Sequence, residues 1–543
     1  MTVEFLQAYN DGEMWVRTQV CRNKDGSTRT YLHLVRSRRV NGKVRQEFIA
    51  TLGRLEVLQE SGALDRFIAQ LARHSKRQWI EAEILPLVGR WSREYGVVLV
   101  FWRLWEKLGL HQLFQEWYRR SPVEFPLEEA IFGMVLNRLV EPDSKLGTYE
   151  WLKGRVYFPP FEGVELHHLY RALDFLEEHI REVEEALFLR GRDLFNLEME
   201  MVFFDTTSTY FEGRGPEGLA ERGYSRDKRP DLRQVIIGLV MSREGIPIAH
   251  HVFPGNTADI EVFRYAVADL RRRFAVRRVI VVADRGVVSE PLLEALDREG
   301  IGYIVGLPLR KWKAAGRVLR QAGRYHRVAD NLRVKRVCLD GEPYIVCHNP
   351  EREEEDARRR MEIIAALEAQ LERGGLAGLA KRRGYGRYLK VCDGGRAEIN
   401  WRKVRQDARY DGKFVLRSNT ELSPAEIGVA YKELWRVEHA FRELKTGLEI
   451  RPIYHWTPAR VRGHFGICFL ALVMESALSR MLKEGKPQTS YREVLKDVEQ
   501  VKAVRVELND QAFLLRTELV GRAYEAFQAL GLRPPPRLQP LAN

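Results

Sequence analysis

The sequence predicts a multidomain α/β protein whose main sheet is assembled from two separated stretches of chain. Three observations carry that expectation. The chain has 543 residues, and at that length roughly three or four domains are expected rather than one core. Its hydrophobic period changes along the chain, from strand-like alternation, to helical spacing, to short apolar strands alternating with helices. Finally, the strand-rich stretch after residue 199 stops short of a closing helix, and a helix of the right character comes only at 425–447.

Apolar residues make up 45% of the chain and aromatics 10%, so large cores can be buried. The 88 Lys plus Arg exceed the 75 Asp plus Glu, for a net charge of +13. With a pI near 9.4, a polyanionic partner, most often nucleic acid, is expected. Five scattered cysteines argue against a disulfide framework and for a reducing cytosol. The N-terminus MTVEFLQAYNDGEMW lacks the basic-then-apolar pattern of a signal. The best apolar run, FGICFLALVM at 465–474, is too short to span a bilayer and reads as a buried helix.

Residues 1–55 read as a basic β-meander. MWVRTQVC and YLHLVRS flank Lys24-Asp25-Gly26, and VRQEFIATLG follows Asn41-Gly42, both hairpin signals. Arg17, Arg22, Arg36, Arg38, Arg39, Lys43 and Arg45 on these strands suit DNA phosphates, although a solvated strand face would carry the same charges. Residues 56–195 turn helical, in segments such as LDRFIAQLARHSKR and PLEEAIFGMVLNRLV. They are expected to form a helical DNA-binding domain, without a clear helix-turn-helix signature.

Residues 196–307 change pattern again. MEMVFFD (199–205), QVIIGLVM (234–241), IPIAHHVF (246–253), VRRVIVVADRG (276–286) and IGYIVGL (301–307) read as strands. Thr257 and Ser289 are expected to cap the two intervening helices, with Gly300 as a stop. The order β, β, β, α, β, α, β matches the sheet of an RNase H-like core, which still requires a final helix. Residues 308–424 are expected as a β-rich insertion, with a hairpin at Asp340-Gly341 and one charged helix. Residues 425–485 bring the final helices, and 486–543 a C-terminal helical tail ending in flexible Pro534-Pro535-Pro536 and Pro540.

The chemistry concentrates in YKELWRVEHAFRELKTGL, residues 431–448. Tyr431, Glu438 and Lys445 recur every seven residues, about 20° short of two full helical turns per step, so they share one stripe. Arg442 lies four residues past Glu438. Two strand-end aspartates supply partners, Asp205 and Asp284. Alone, each has an ordinary reading as a turn or capping residue, and Glu438 as a solvated helix residue. Together, three convergent carboxylates repel unless divalent cations neutralise them, and hard oxygen ligands suit Mg²⁺ or Mn²⁺. Two such ions would clamp the attacking and leaving oxygens of an in-line phosphoryl transfer, with water or a DNA 3′-hydroxyl as nucleophile. Cys338, Cys347, His348 and Cys392 lack the paired spacing of a zinc site.

These segments, with VFFDTTSTYF, GYSRDKRPDLRQV, PGNTADIEVF and VVADRG, resemble the DDE bacterial insertion-sequence transposases, in the branch with a Tyr-Glu-Lys signature helix and a β-rich insertion. The resemblance covers most of the chain. It implies that Asp205, Asp284 and Glu438 are the catalytic, metal-binding triad and that Tyr431 and Lys445 contact DNA at the element end. The family usually carries a basic residue three positions after the tyrosine, where this chain has Leu434. Arg436 lies about 160° from Glu438 around the helix, so Arg442 is the better-placed substitute. Arg226, Lys228 and Arg229 in GYSRDKRPDL, and Arg382, Arg383 and Arg387 in KRRGYGRYLK, are further candidate DNA contacts, with bland basic loops as the alternative. The implied activity is binding of terminal inverted repeats in double-stranded DNA, hydrolysis at the ends and joining of 3′ ends to target DNA. The implied setting is cytoplasmic and nucleoid-associated, without a membrane, as a homodimer or higher assembly. A nuclease without strand transfer, or a catalytically silent DNA-binding protein, are the alternatives.

Overall fold

The computed structural model describes residues 14–23, 25–40, 43–72, 74, 88–120, 123–195, 201–274, 280–284, 289–309, 312, 314–372, 386–391, 397–508 and 511–541. The chain divides into two compact units, residues 1–87 and 88–543.

In the first unit, β1 (Met14–Arg22), β2 (Thr28–Val40) and β3 (Lys43–Arg54) form an antiparallel sheet in chain order. Gly26 takes the left-handed conformation (φ 84°) at the first hairpin tip, which glycine permits without strain. The Asn41-Gly42 turn lies outside the described residues. Part of the expected basic face is engaged within the sheet: Arg36 is neutralised by Glu47 at 2.7 Å, and Arg17 donates to the uncharged Gln46. Two short helices follow, α1 (Leu55–Glu60) and α2 (Ala63–Ala72).

The second unit opens with β4 (Val88–Glu94) and five helices: α3 (Gly96–Lys107), α4 (Leu110–Arg120), α5 (Leu127–Val140), α6 (Lys145–Arg155) and α7 (Leu166–Phe195). There follow β5 (Met201–Tyr210), β6 (Gln234–Ser242), β7 (Pro247–Pro254), α8 (Asp259–Phe274), β8 (Ile280–Ala283), α9 (Glu290–Arg298) and β9 (Gly302–Gly306). Ser289 caps α9 as expected, accepting from the Leu292 amide, and Gly300 (φ 66°) ends it. Helix α8 begins at Asp259, so Thr257 is not its cap.

Next come α10 (Ala315–Arg320), β10 (His326–Ala329), β11 (Leu332–Leu339), β12 (Glu342–His348), α11 (Pro350–Glu372), β13 (Leu389–Val391), β14 (Ala397–Ile399), α12 (Trp401–Ala408) and β15 (Lys413–Ser418). Asp340 (φ 54°) and Gly341 (φ 87°) make the two-residue turn between β11 and β12, matching the hairpin signal.

Among the described residues nine strands share one sheet, ordered β10-β11-β12-β15-β9-β8-β5-β6-β7. β5, β8 and β9 are parallel, while β6 is added antiparallel to β5 and β7 antiparallel to β6. The segment 308–424 does not stand aside as a sheet of its own, apart from the small β13–β14 pair. Its strand β15 pairs antiparallel with β9, from Leu416↔Gly306 to Ser418↔Ile304. β9 would otherwise leave a row of unpaired backbone groups at the sheet edge.

After β15 come α13 (Pro424–Lys432), α14 (Trp435–Arg442) and a π-helical turn at Glu443–Gly447. The start of α13 is a capping box, with Ser423 and Glu426 exchanging bonds and Pro424 in the first turn. Helix α15 (Pro458–Gly485) follows, capped by Thr457. Among the described residues it is the one helix long and apolar enough to cross a membrane, yet 72% of its apolar window is buried. It packs on α5, α7 and β7, and the main hydrophobic core runs from α3 through the sheet to α15, with smaller clusters beside it.

The C-terminal region departs from the expected helical tail. It contains α16 (Tyr491–Val498), β16 (Lys502–Leu508), β17 (Gln511–Arg516), α17 (Ala523–Ala529) and β18 (Leu538–Pro540). These strands form a second sheet with β4, ordered β18-β17-β16-β4. The proline-rich end is held there, because β18 pairs with β17 and Arg516 donates to the Pro535 carbonyl at 3.0 Å. Proline composition alone does not report such pairing.

Candidate active site

The parallel register of β5 and β8 runs from Met201↔Ile280 to Phe204↔Ala283. The next residues in that register are Asp205 and Asp284. Asp205 lies within β5 rather than at its end, because the strand continues against β6 to Tyr210. Apolar strand residues bring both aspartates to the same edge, with Val202, Phe203, Phe204, Val281, Val282 and Ala283 fully buried behind them.

Tyr431, near the end of α13, donates its hydroxyl to Asp284 Oδ1 at 2.9 Å. Glu438 is exposed on α14 and lines, with Asp284 and Tyr431, a cleft of about 390 Å³. The charges of Asp284 and Glu438 reach Asp205, whose carboxyl is pushed up to about 6 by burial first and by these neighbours, against the pull of Arg226. Both neighbouring carboxylates are thus near enough to act on the charge of Asp205, although Asp205 does not itself line that cleft. Among the described residues no group of three or more His, Cys, Asp or Glu is drawn together tightly enough to hold a metal as it stands. The oxygen-only donor set and the mutual repulsion at Asp205 nonetheless fit a hard divalent cation.

The stripe is less regular than an ideal helix. α13 and α14 are separated by a turn at Glu433-Leu434, and α14 passes into the π-helical turn. Such irregularities are frequent at functional sites. Leu434 is only 4% exposed, so a basic residue there would sit in the core. Arg436 points away from the triad cleft, pairing with Glu433 at 3.4 Å in another cleft beside Glu443. Arg442 is exposed and has no ion-pair partner among the described residues.

Lys445 is tied to Asp227, from Nζ to Oδ1 at 2.9 Å, and Arg451 holds the other oxygen at 2.8 Å. Burial lowers the lysine's affinity for its proton and Asp227 opposes that. Arg226 bridges Asp205 at 3.6 Å and Asp259 at 3.1 Å, and also donates to Thr206 Oγ1. Thr206 in turn donates to Asp259 at 2.7 Å. Arg229 pairs with Asp231. Lys228 is exposed at a positive φ of 59°. Arg387 pairs with the buried Asp407 and lies over the Tyr388 ring at 4.6 Å. Arg382 and Arg383 lie outside the described residues.

Sequence reasoning missed several members of this site. Arg352 at the start of α11 and Lys413 at the start of β15 line the same cleft as Asp284 and Glu438. Asp227 and Asp259 hold the cations around it. Gly306, at the end of β9, is needed because an added Cβ would come within 2.1 Å of the Tyr431 hydroxyl. No local signal distinguishes these residues. The sheet extension that places Lys413 beside β9 becomes visible only in three dimensions.

Residues 198–474 match the family model described as a transposase DDE domain. Residues 16–83 match the N-terminal domain of the IS1634 family of transposases. No curated protein matches the chain. Among solved structures, a Mos1 transposase paired-end complex with the left transposon end is similar at 10% identity and a TM-score of 0.15. That match covers 45% of this chain and 66% of the other.

Proposed function

The chain belongs to the transposase DDE domain family, and on that premise we propose that it is an insertion-sequence DNA transposase working through Asp205, Asp284 and Glu438. It binds the terminal inverted repeats of its element, hydrolyses DNA at the ends and joins the 3′ ends to target DNA. The observation that carries this reading is the in-register pair Asp205 and Asp284, with Glu438 of the later helix lining the same cleft as Asp284. We read strands β5 to β9 as an RNase H-like core, extended at one edge by strands of the insertion.

Mg²⁺ or Mn²⁺, two ions in all, held by these carboxylates would neutralise charge on the transferring phosphate and activate the attacking water or 3′-hydroxyl. The chain's own residues then divide the work. Tyr431 orients the Asp284 carboxylate through its hydroxyl, and Arg226 holds Asp205 and Asp259 in place. Arg442, Arg352 and Lys413 offer cations to DNA phosphates along the cleft, and Lys228 and Arg229 do so from the neighbouring loop. Lys445 joins them once Asp227 yields it. Two element ends must be handled together, so the working form is a homodimer or larger assembly on DNA. The setting is the cytoplasm, at the nucleoid.

Purified protein with Mg²⁺ is expected to nick DNA carrying its element's ends, and Asp284→Ala to abolish nicking while leaving binding intact. Undiminished cleavage by that variant overturns the triad.

A further inference from the structure

A second cleft, of about 410 Å³, opens between the C-terminal sheet and the turn that follows α6. It shares no lining residue with the cleft of Asp284 and Glu438. Its walls are aromatic: Trp91 of β4, with Tyr157 and Phe158 after α6. Trp91 and Tyr157 pack with ring centroids 5.4 Å apart. Three cations line it as well, Arg93, Lys153 and Arg505, against one carboxylate, Glu162.

Both arginines are incompletely used. The Arg93 guanidinium lies 4.7 Å over the Trp91 ring and has no carboxylate partner among the described residues. Its Nε is buried and bonds to nothing. Arg505 pairs with Glu507 at 3.1 Å, yet its Nε is also buried and unpartnered. Glu507 is shared with Arg90, which approaches to 2.5 Å. Lys153 donates to the Glu162 backbone carbonyl at 2.7 Å and lies 3.6 Å from Glu165. With no carboxylate on Arg93 among the described residues and one carboxylate shared between Arg90 and Arg505, positive charge at the cleft is left for an anion to take up.

We propose that this cleft binds an unpaired nucleotide of a DNA strand, with its phosphate on Arg93 and Arg505 and its base against the aromatic wall. Stacking on aromatic or guanidinium planes, beside cations that take the phosphate, is how single-stranded nucleic acid is recognised without reading sequence. A base inside a duplex has no free face to offer. An acidic peptide would satisfy the arginines but leave the rings unused. The cleft therefore selects single-stranded DNA over both, and it does so independently of the carboxylate triad.

The test is fluorescence anisotropy of a labelled oligothymidylate of about a dozen nucleotides, a length that spans one such site, on the full-length protein. Replacing both arginines, Arg93→Gln with Arg505→Gln, is expected to weaken binding about tenfold or more, since stacked, phosphate-held bases contribute on that scale. The readout is binding without Mg²⁺, which separates the proposal from the catalytic assignment. Unchanged affinity in the arginine variant overturns it. So does displacement of the oligonucleotide by polyglutamate as readily as by unlabelled oligothymidylate. Photo-crosslinking of an iodouracil-substituted oligonucleotide to the unaltered protein needs no variant to fold. Crosslinks on the peptides of Trp91 or Tyr157 support the site, and crosslinks confined to other peptides overturn it.

Discussion

The Tyr431 hydroxyl donates to Asp284 Oδ1 at 2.9 Å, joining residues 147 positions apart in the chain. It ties the end of α13 to the end of β8, and so registers the Glu438 helix against the aspartates. Tyr431→Phe removes this bond while keeping the ring, which stacks on Phe414. A hydrogen bond to a charged group is worth about 1.5–3 kcal/mol, so single-turnover nicking should slow by roughly tenfold or more. End binding, measured by gel shift, should change little.

Gly306→Ala should act through the same tyrosine. The added Cβ would meet the hydroxyl at 2.1 Å, and overpacking of this kind costs about 1–3 kcal/mol. Thermal melts of the single and double variants read the coupling. Tyr431→Phe should recover part of the loss, because it removes the atom that clashes first.

Asp227 competes with DNA for Lys445 and Arg451. Asp227→Asn should lower stability by about 1–3 kcal/mol, as two partly buried cations lose their charged partner. The freed cations should raise affinity for DNA ends and steepen the salt dependence of binding by about one to two phosphate contacts. Lys445→Ala should flatten that slope by about one contact. Equal slopes in both variants would count against Lys445 as a phosphate ligand.

Glu475 on α15 should make stability fall as pH rises. Burial, and then the charge of Glu443, push its carboxyl up to about 7, with Arg492 opposing. The buried hydroxyl of Tyr491 faces the same group. The folded value lies above the unfolded one, so the neutral acid favours the fold. Its contribution is complete below about pH 4.5 and is lost as pH rises through about 7. The loss is on the order of 3 kcal/mol at most. Melting midpoints across that window should decline for the native chain and decline less for Glu475→Gln.

Much of this molecule was legible in its sequence. The apolar runs ending near Asp205 and Asp284 read as strands because burial on both faces demands continuous hydrophobicity. The Asp340-Gly341 turn, the Ser289 cap and the buried helix at 465–474 follow from local chemistry of the same kind. The seven-residue spacing of Tyr431, Glu438 and Lys445 identified the helix that lines the cleft, although its geometry is interrupted at Leu434 and after Arg442.

What local chemistry cannot express is which separated segments meet. The 308–424 segment reads as an insertion, yet β15 extends the main sheet, because an open edge on β9 calls for a partner that no residue names. That pairing carries Lys413 into the cleft of Asp284 and Glu438. The proline-rich end reads as flexible, yet β17 offers it an edge. Lys445 and Arg226 read as cations for DNA, but tertiary packing sets Asp227, Asp205 and Asp259 against them. The residue types and spacings thus determined the strands carrying Asp205 and Asp284, the Ser289 cap and the candidate carboxylates. Only the folded chain decided which charges neutralise one another, since Coulombic partners are chosen by distance in space and not along the chain.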